Sequence, residues 1–338
     1  MTTVLFVAAE DCDFDTTTSP GGFRADTGAS SFRSNFVRCS VHPNNVDNLN
    51  PSYNRLRSDF WTTQTTLWVH AWYYDFNYAG QNNNNLIALM DSGGVYRVIL
   101  RSNGTLGQIK ISLCNAAGTI TDVALSGVYA LLFGNIQAID LSITNYTTAS
   151  TANISLYING ILAATYTGTI QTDACPGLCA VDFCGITNPY WSEMLVQDTD
   201  TRGRGIYAMA PVANGNTNTW TGVVANVNQI TENDANYNYV TTANQLAEYT
   251  TVTTLPTGSW TVQTFWQTVR LNIGASGPQN FQFVTRTVDG SDHTAGTPTP
   301  INYFHNYKYQ WTTNPHTTTA WVASDFGAGF NYGIKSLT

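Results

Sequence analysis

The 338-residue chain carries a net charge of −8, with 11% of its residues charged and 43% hydrophobic. That much apolar material supplies proper cores and excludes a disordered chain, while an acidic balance without a Lys/Arg cluster excludes a nucleic-acid surface. Lysine (Lys110, Lys308, Lys335) and glutamate (Glu10, Glu193, Glu232, Glu248) are nearly absent, so long exposed helices have little to be built from.

What remains is Thr, Tyr, Asn and Gly, the residues of strands and turns, at a length that suits two domains. Residues 3–8 read as a first strand. The opening MTTVLFVAAEDCDFD has no basic stretch and too short an apolar run for a signal peptide or a membrane span, so the expectation is synthesis in the cytoplasm and no membrane insertion. Glu10, Asp11, Asp13 and Asp15 follow. Hard oxygen donors suit Ca²⁺, but EF-hand spacing is absent; the cluster is read as a solvated segment, and no metal or cofactor is assigned. Residues up to 60 are irregular.

From 61 the strand signals are dense. LWVHAWYYDF (67–76) is an aromatic strand, followed by a polar loop at 79–85 and by strands at 86–91, 95–102 and 108–114, with an Asn103-Gly104 turn between the last two. Further strands are expected at 123–134 and 136–146, then a polar loop at 145–153. In ISLYINGILAATYTG (154–168), Asn159-Gly160 supplies two residues that tolerate positive φ, as a two-residue type I′ hairpin turn requires. Ile154, Leu156 and Ile158 share one face before it, and Leu162, Ala164 and Tyr166 share one after it.

Six cysteines fall at 12, 39, 114, 175, 179 and 184. Cys175, Cys179 and Cys184 leave three readings open: half of a zinc site whose other ligands are missing, a disulfide within 175–184, or buried free thiols, of which the last is expected. Residues 185–205 are rich in charge and end in Arg-Gly-Arg-Gly. The domain boundary is placed at about 195–205, giving domains 1–195 and 196–338. The second domain runs through GIYAMAP (205–211), an Asn/Thr/Gly loop at 214–219 and AEYTTV (247–252) to strands at 261–273 and 281–288, followed by YFHNYKYQW (303–311) and a last segment at 320–337.

Strand spacing of this kind indicates antiparallel β-sandwiches. The run Leu156, Tyr157, Ile158, Asn159, Gly160, then Ser192, Glu193, Met194, Leu195, Val196, Asp198, Asp200, Thr201, Arg202 and Gly203 resembles the laminin-G-like, or concanavalin A-like, jelly-roll sandwich of many tailed-bacteriophage proteins. NTNTWTG (216–222), LPTGSWTVQ (255–263), GPQNFQFVTR (277–286), YQWTTNP (309–315) and FGAGFNYGIKSL (326–337) extend the likeness, in the same order, through the second half. The resemblance implies two sandwich domains, the first laminin-G-like and the second smaller, in a non-enzymatic virion structural protein. Its partners would be other virion proteins, copies of itself (a trimer is the expected count) and a host-surface glycan. A tail fibre or tail-tip appendage is the first reading, a capsid decoration or head-fibre protein the second, and a polysaccharide-degrading enzyme the third.

Candidate chemistry is sparse. Concanavalin A-like glycosidases need two carboxylates across the scissile bond, and no Glu-x-Asp-x-x-Glu occurs. Asp198 and Asp200 are the closest pair, read as partners of Arg202 and Arg204 rather than as catalysts. The histidines (42, 70, 293, 305, 316) are isolated in sequence, and no nucleophile elbow is present; no catalytic residue is assigned. Aromatics are the one enriched resource. Trp68, Trp72, Tyr73, Tyr74 and Tyr78 form the candidate glycan or interface cluster, with the loops at 79–85, 145–153 and 214–219 supplying amides.

Overall fold

The computed structural model describes residues 2–8, 23–25, 37–39, 55–74, 82–104, 107–132, 134–147, 150–170, 173, 175–184, 190–228, 234–251 and 260–338. It is all-β and antiparallel. Among these residues the helical segments are short 3₁₀ turns at Val224–Asn226 and Ala323–Phe326, and no helix is long and apolar enough to cross a membrane. The chain divides into Met1–Ile206 and Tyr207–Thr338.

The first unit contains β1 (Val4–Ala8), β2 (Phe23–Ala25), β3 (Val37–Cys39), β4 (Arg55–Arg57), β5 (Leu67–Tyr74), β6 (Asn82–Met90), β7 (Tyr96–Asn103), β8 (Ile109–Cys114), β9 (Ile120–Leu125), β10 (Gln137–Thr144), β11 (Thr151–Ile158), β12 (Ile161–Thr169), β13 (Ala180–Cys184) and β14 (Tyr190–Gln197). An eight-stranded sheet runs β12-β11-β10-β5-β14-β3-β2, with β1 also on β14; a six-stranded sheet runs β4-β13-β6-β7-β8-β9. Alternate residues of both sheets meet in one core, among them Val69, Leu141, Ile154, Leu156, Val98, Ile111 and Phe183. Trp191 seals it, packed on Tyr73 and Phe183 and donating its indole N–H to the Cys184 carbonyl at 3.1 Å.

The Asn-Gly hairpin forms as its sequence predicts. Asn159 and Gly160 adopt φ of 50° and 78°, Ile158 pairs with Ile161, and Ile154, Leu156 and Ile158 point inward. Asn159 also accepts the Ala138 N–H through its side chain at 2.9 Å. A bulge after Leu156 shifts the returning strand, so Ala164 is buried while Leu162 is exposed.

Several expected boundaries move. Residues 82–85 belong to bulged β6 rather than a loop, with Asn83 at φ 64°. The strand expected at 123–134 is β9 at 120–125, after which Tyr129 and Gly134 take positive φ and turn the chain. The boundary expected at 195/196 would cut β14. Asp198 and Thr201 still bond to the first unit beyond it, and Ile206 donates to Glu193 at 3.2 Å, so the unit closes at Ile206. Cys114, Cys175, Cys179 and Cys184 are buried free thiols; burial pushes the first three up in pKa.

The second unit contains β15 (Ala213–Asn218), β16 (Leu246–Thr250), β17 (Phe265–Leu271), β18 (Asn280–Arg286), β19 (Asp292–Ala295), β20 (His305–Trp311) and β21 (Asn331–Leu337). A five-stranded sheet, β15-β16-β21-β18-β19, packs with the β17-β20 pair around Phe265, Phe281, Phe283, Trp311, Trp321, Phe326 and Phe330. The Asn/Thr/Gly loop expected at 214–219 is edge strand β15. Gly215 is needed there because a Cβ would sit 2.9 Å from that of Glu248 on β16.

Candidate functional site

Alternation along β5 sends Leu67, Val69, Ala71 and Tyr73 into the core and turns Trp68, His70, Trp72 and Tyr74 to the outer face of the large sheet. Register then fixes their neighbours. Trp68 lies opposite Ser142 and His70 opposite Asp140 on β10, and Asp140 lies opposite Tyr157 on β11. Trp68 therefore reaches Tyr157 diagonally across β10. The two rings stack with centroids 5.7 Å apart and planes 19° from parallel.

The segment after β14 folds back over this pair. Gln197 donates its amide to the carbonyls of Thr199 and Asp200 at 3.1 and 2.9 Å, holding the turn against the sheet. Thr201 is fully buried and donates its hydroxyl to Asp140 Oδ1 at 2.8 Å. The same oxygen stands 2.8 Å from His70 Nδ1, so Asp140 orients both groups from beneath the face. Arg202 then lays its guanidinium 4.3 Å from the Tyr157 centroid and 5.2 Å from that of Trp68. At a partly exposed site such cation–π contacts are worth about 0.5–1 kcal/mol.

Asp200 grips that guanidinium at two points, Nε to Oδ1 at 3.0 Å and Nη2 to Oδ2 at 2.5 Å. The contact holds Asp200 below the ordinary carboxylate range and raises Arg202. Beside the platform, Ser155 and Thr165 hydroxyls lie 3.1 Å apart, and Thr167 donates to the Asn153 side chain. The face thus offers half-buried aromatic surface, a fixed cation and a stripe of hydroxyls and amides. A polyhydroxylated ligand can use all three.

Of the aromatics singled out in the sequence, Trp68 stands in this platform and Trp72 is half-buried further along β5, edge-on to His70. Tyr73 faces the core and Tyr74 is buried as well; both depart from the expected surface cluster, Tyr73 through strand alternation. Tyr78 lies outside the described residues, as do residues 10–15. Tyr157 is not among the aromatics of that expected cluster, because its partnership with Trp68 depends on a strand seventy residues away in sequence from β5. Asp198 and Asp200 do not converge: Asp198 accepts the Thr3 N–H at 2.9 Å, while Asp200 is committed to Arg202.

No family model matches the chain, and no curated protein matches it. Among solved structures it is similar to the binding domain of botulinum neurotoxin DC in complex with SialylT, at 9% identity over 98% of this chain and 89% of that one, with a TM-score of 0.37. An endo-β-1,4-glucuronan lyase from the fungus Trichoderma reesei matches at 9% identity over 59% of this chain and 98% of its own, with a TM-score of 0.43. Carbohydrate-binding module CBM66 from Bacillus subtilis matches at 9% identity over 42% of this chain and 85% of its own, with a TM-score of 0.30. Likenesses this remote carry no inference about ligand or activity.

Proposed function

We propose that the chain is a non-catalytic structural protein of a bacteriophage virion, a tail fibre or tail-tip appendage that assembles as a homo-oligomer and meets a host-surface glycan through the outer face of its large sheet. The observation that carries the glycan contact is the Trp68–Tyr157 stack under Arg202. Aromatic rings accept the apolar face of a pyranose, and neighbouring hydroxyls and amides take up its polar rim. Nη1 of Arg202 makes no hydrogen bond with the described residues and is left to donate to a sugar hydroxyl or carboxylate. The virion role rests on the ordered motifs of the sequence. A non-catalytic reading is supported by the engagement of Asp198 and Asp200 elsewhere.

The test is immunogold labelling of intact virions, paired with retention of wild type and Trp68→Ala on immobilised host polysaccharide. Label at the tail end, with retention of wild type and at least tenfold weaker retention of the variant, is the expected result. Label spread over the head overturns the tail assignment in favour of decoration, and no label on any particle removes the virion role. Equal retention of both proteins, or none of either, overturns the glycan contact.

A further inference from the structure

The second unit holds a cluster that the function above does not use. The β18–β19 turn is pinned by Thr287 N–H to the Ser291 carbonyl at 3.1 Å and Gly290 N–H to the Thr287 carbonyl at 2.9 Å, and it projects Asp289 with His293 just behind it on β19. The loop after β20 is fixed by Asn314, itself buried, which accepts the Thr318 N–H through its carbonyl and the His316 N–H through its side chain. That loop presents His316 to the turn. His316 Nδ1 lies 2.9 Å from Asp289 Oδ2, and the two imidazoles stand with ring centroids 6.3 Å apart. One ligand atom from each of Asp289, His293 and His316 falls within 4.8 Å of the others, the one such group among the described residues.

We propose that Asp289, His293 and His316 bind a divalent transition-metal ion, with zinc the best match, and that the bound ion clasps the β18–β19 turn to the 314–319 loop. Two imidazole nitrogens and one carboxylate oxygen are borderline donors. They suit Zn²⁺ and its neighbours in the first transition row, whereas Ca²⁺ and Mg²⁺ want mostly oxygen. Tetrahedral zinc at its usual bond lengths sets ligand atoms roughly 3.3 Å apart, so closing the cluster takes at most about 1.5 Å of movement from side chains that are at least partly exposed. Three protein ligands leave a fourth position to water.

The surrounding groups fit a cation. Thr287 is buried and donates its hydroxyl to Asp289, and the same oxygen lies 3.3 Å from His293 Nε2, so one side chain orients two ligands. The nearest cation on the turn, Arg286, is neutralised by Asp292. The second unit has no cysteine, so no disulfide can do this work.

The experiment is equilibrium dialysis of the full chain against Zn²⁺, with Ca²⁺ as control and metal counted by mass spectrometry. One zinc per chain, no retained calcium and an upward shift of the second unit's melting transition are expected. His316→Gln and His293→Ala should each weaken zinc retention at least tenfold while far-UV circular dichroism stays unchanged. Should His293→Ala fail to fold, His316→Gln, at an exposed loop position, decides alone. No retention at 100 μM zinc, or retention unchanged in His316→Gln, overturns the site and reduces it to a surface His–Asp pair.

Discussion

The first unit closes its sandwich with branched aliphatic side chains on strands of eight or nine residues, Leu67 and Val69 on β5 meeting Leu89 and Leu100 from the other sheet. The second closes around rings. Phe265 lies 5.4–6.2 Å, centroid to centroid, from Trp321, Phe326, Phe330 and Tyr332, edge to face with each. The contrast follows from how much sheet each unit owns. Two broad sheets can tile a core with many medium-sized residues. A five-stranded sheet facing a pair must cover more area with each side chain, and an aromatic buries about 150–250 Å². Three of those rings, Trp321, Phe326 and Phe330, come from the irregular segment before β21. A core made of few large pieces depends more heavily on each one.

That dependence gives the largest expected effect. Phe265→Ala should cost about 3–5 kcal/mol and lower the second unit's calorimetric transition so far that it separates from the first. Leu141→Ala, within the range of about 2–5 kcal/mol for such truncations, should leave the first unit folded at 25 °C. Equal losses of cooperativity in the two units would break the comparison.

The next effect sharpens it. Glu248 is fully buried on β16, between neighbours that include Gly215 and Gly333, and burial, with Asp292 nearby, pushes its carboxyl up to about 7. Its folded pKa exceeds its unfolded one, so the stabilisation is complete below about pH 4.5 and is lost as pH rises through 7. That loss is on the order of 3 kcal/mol. Urea titrations at pH 5 and pH 8 should show the second unit weakening at the higher pH, and Glu248→Gln should remove most of the difference. A variant that keeps the wild-type slope would assign the dependence elsewhere.

Smaller still is Asn159→Ala. It places a residue with a Cβ and no side-chain acceptor at φ 50° and deprives the Ala138 N–H of its partner, which should cost about 1–2 kcal/mol. The loss should appear in the first unit's transition alone. Trp68→Ala should move that transition least, since its ring is half-exposed, and should report through glycan retention instead.

How much of this could be read from the sequence depends on whether the controlling contact is local. Asn159-Gly160 with Ile154, Leu156 and Ile158 contains its own instructions, because turn geometry and alternation both lie within a few residues. The 214–219 stretch did not: ANGNTN carries loop composition, and it becomes a strand because β16 offers an edge and Gly215 fits against Glu248. Polar residues 82–85 are drawn into β6 in the same way by pairing with β7. In the candidate site, Trp68 was legible as an aromatic on a strand. Its partner was not, since Tyr157 meets it only through the register of β5, β10 and β11. Asp289 and His293 are close in sequence, yet the loop that brings His316 to them is fixed by Asn314, and no spacing rule announces that.

Every cysteine of the chain lies at or before position 184, and the four described ones are sealed inside the first unit. A thiol-alkylating reagent added to the native protein is therefore a clock with one face. Modification at Cys114, Cys175, Cys179 and Cys184, read peptide by peptide, counts openings of the first unit, while the second can open and close without leaving a mark. Unfolding followed by alkylation and by calorimetry together would time the two units separately in one sample, with no label introduced.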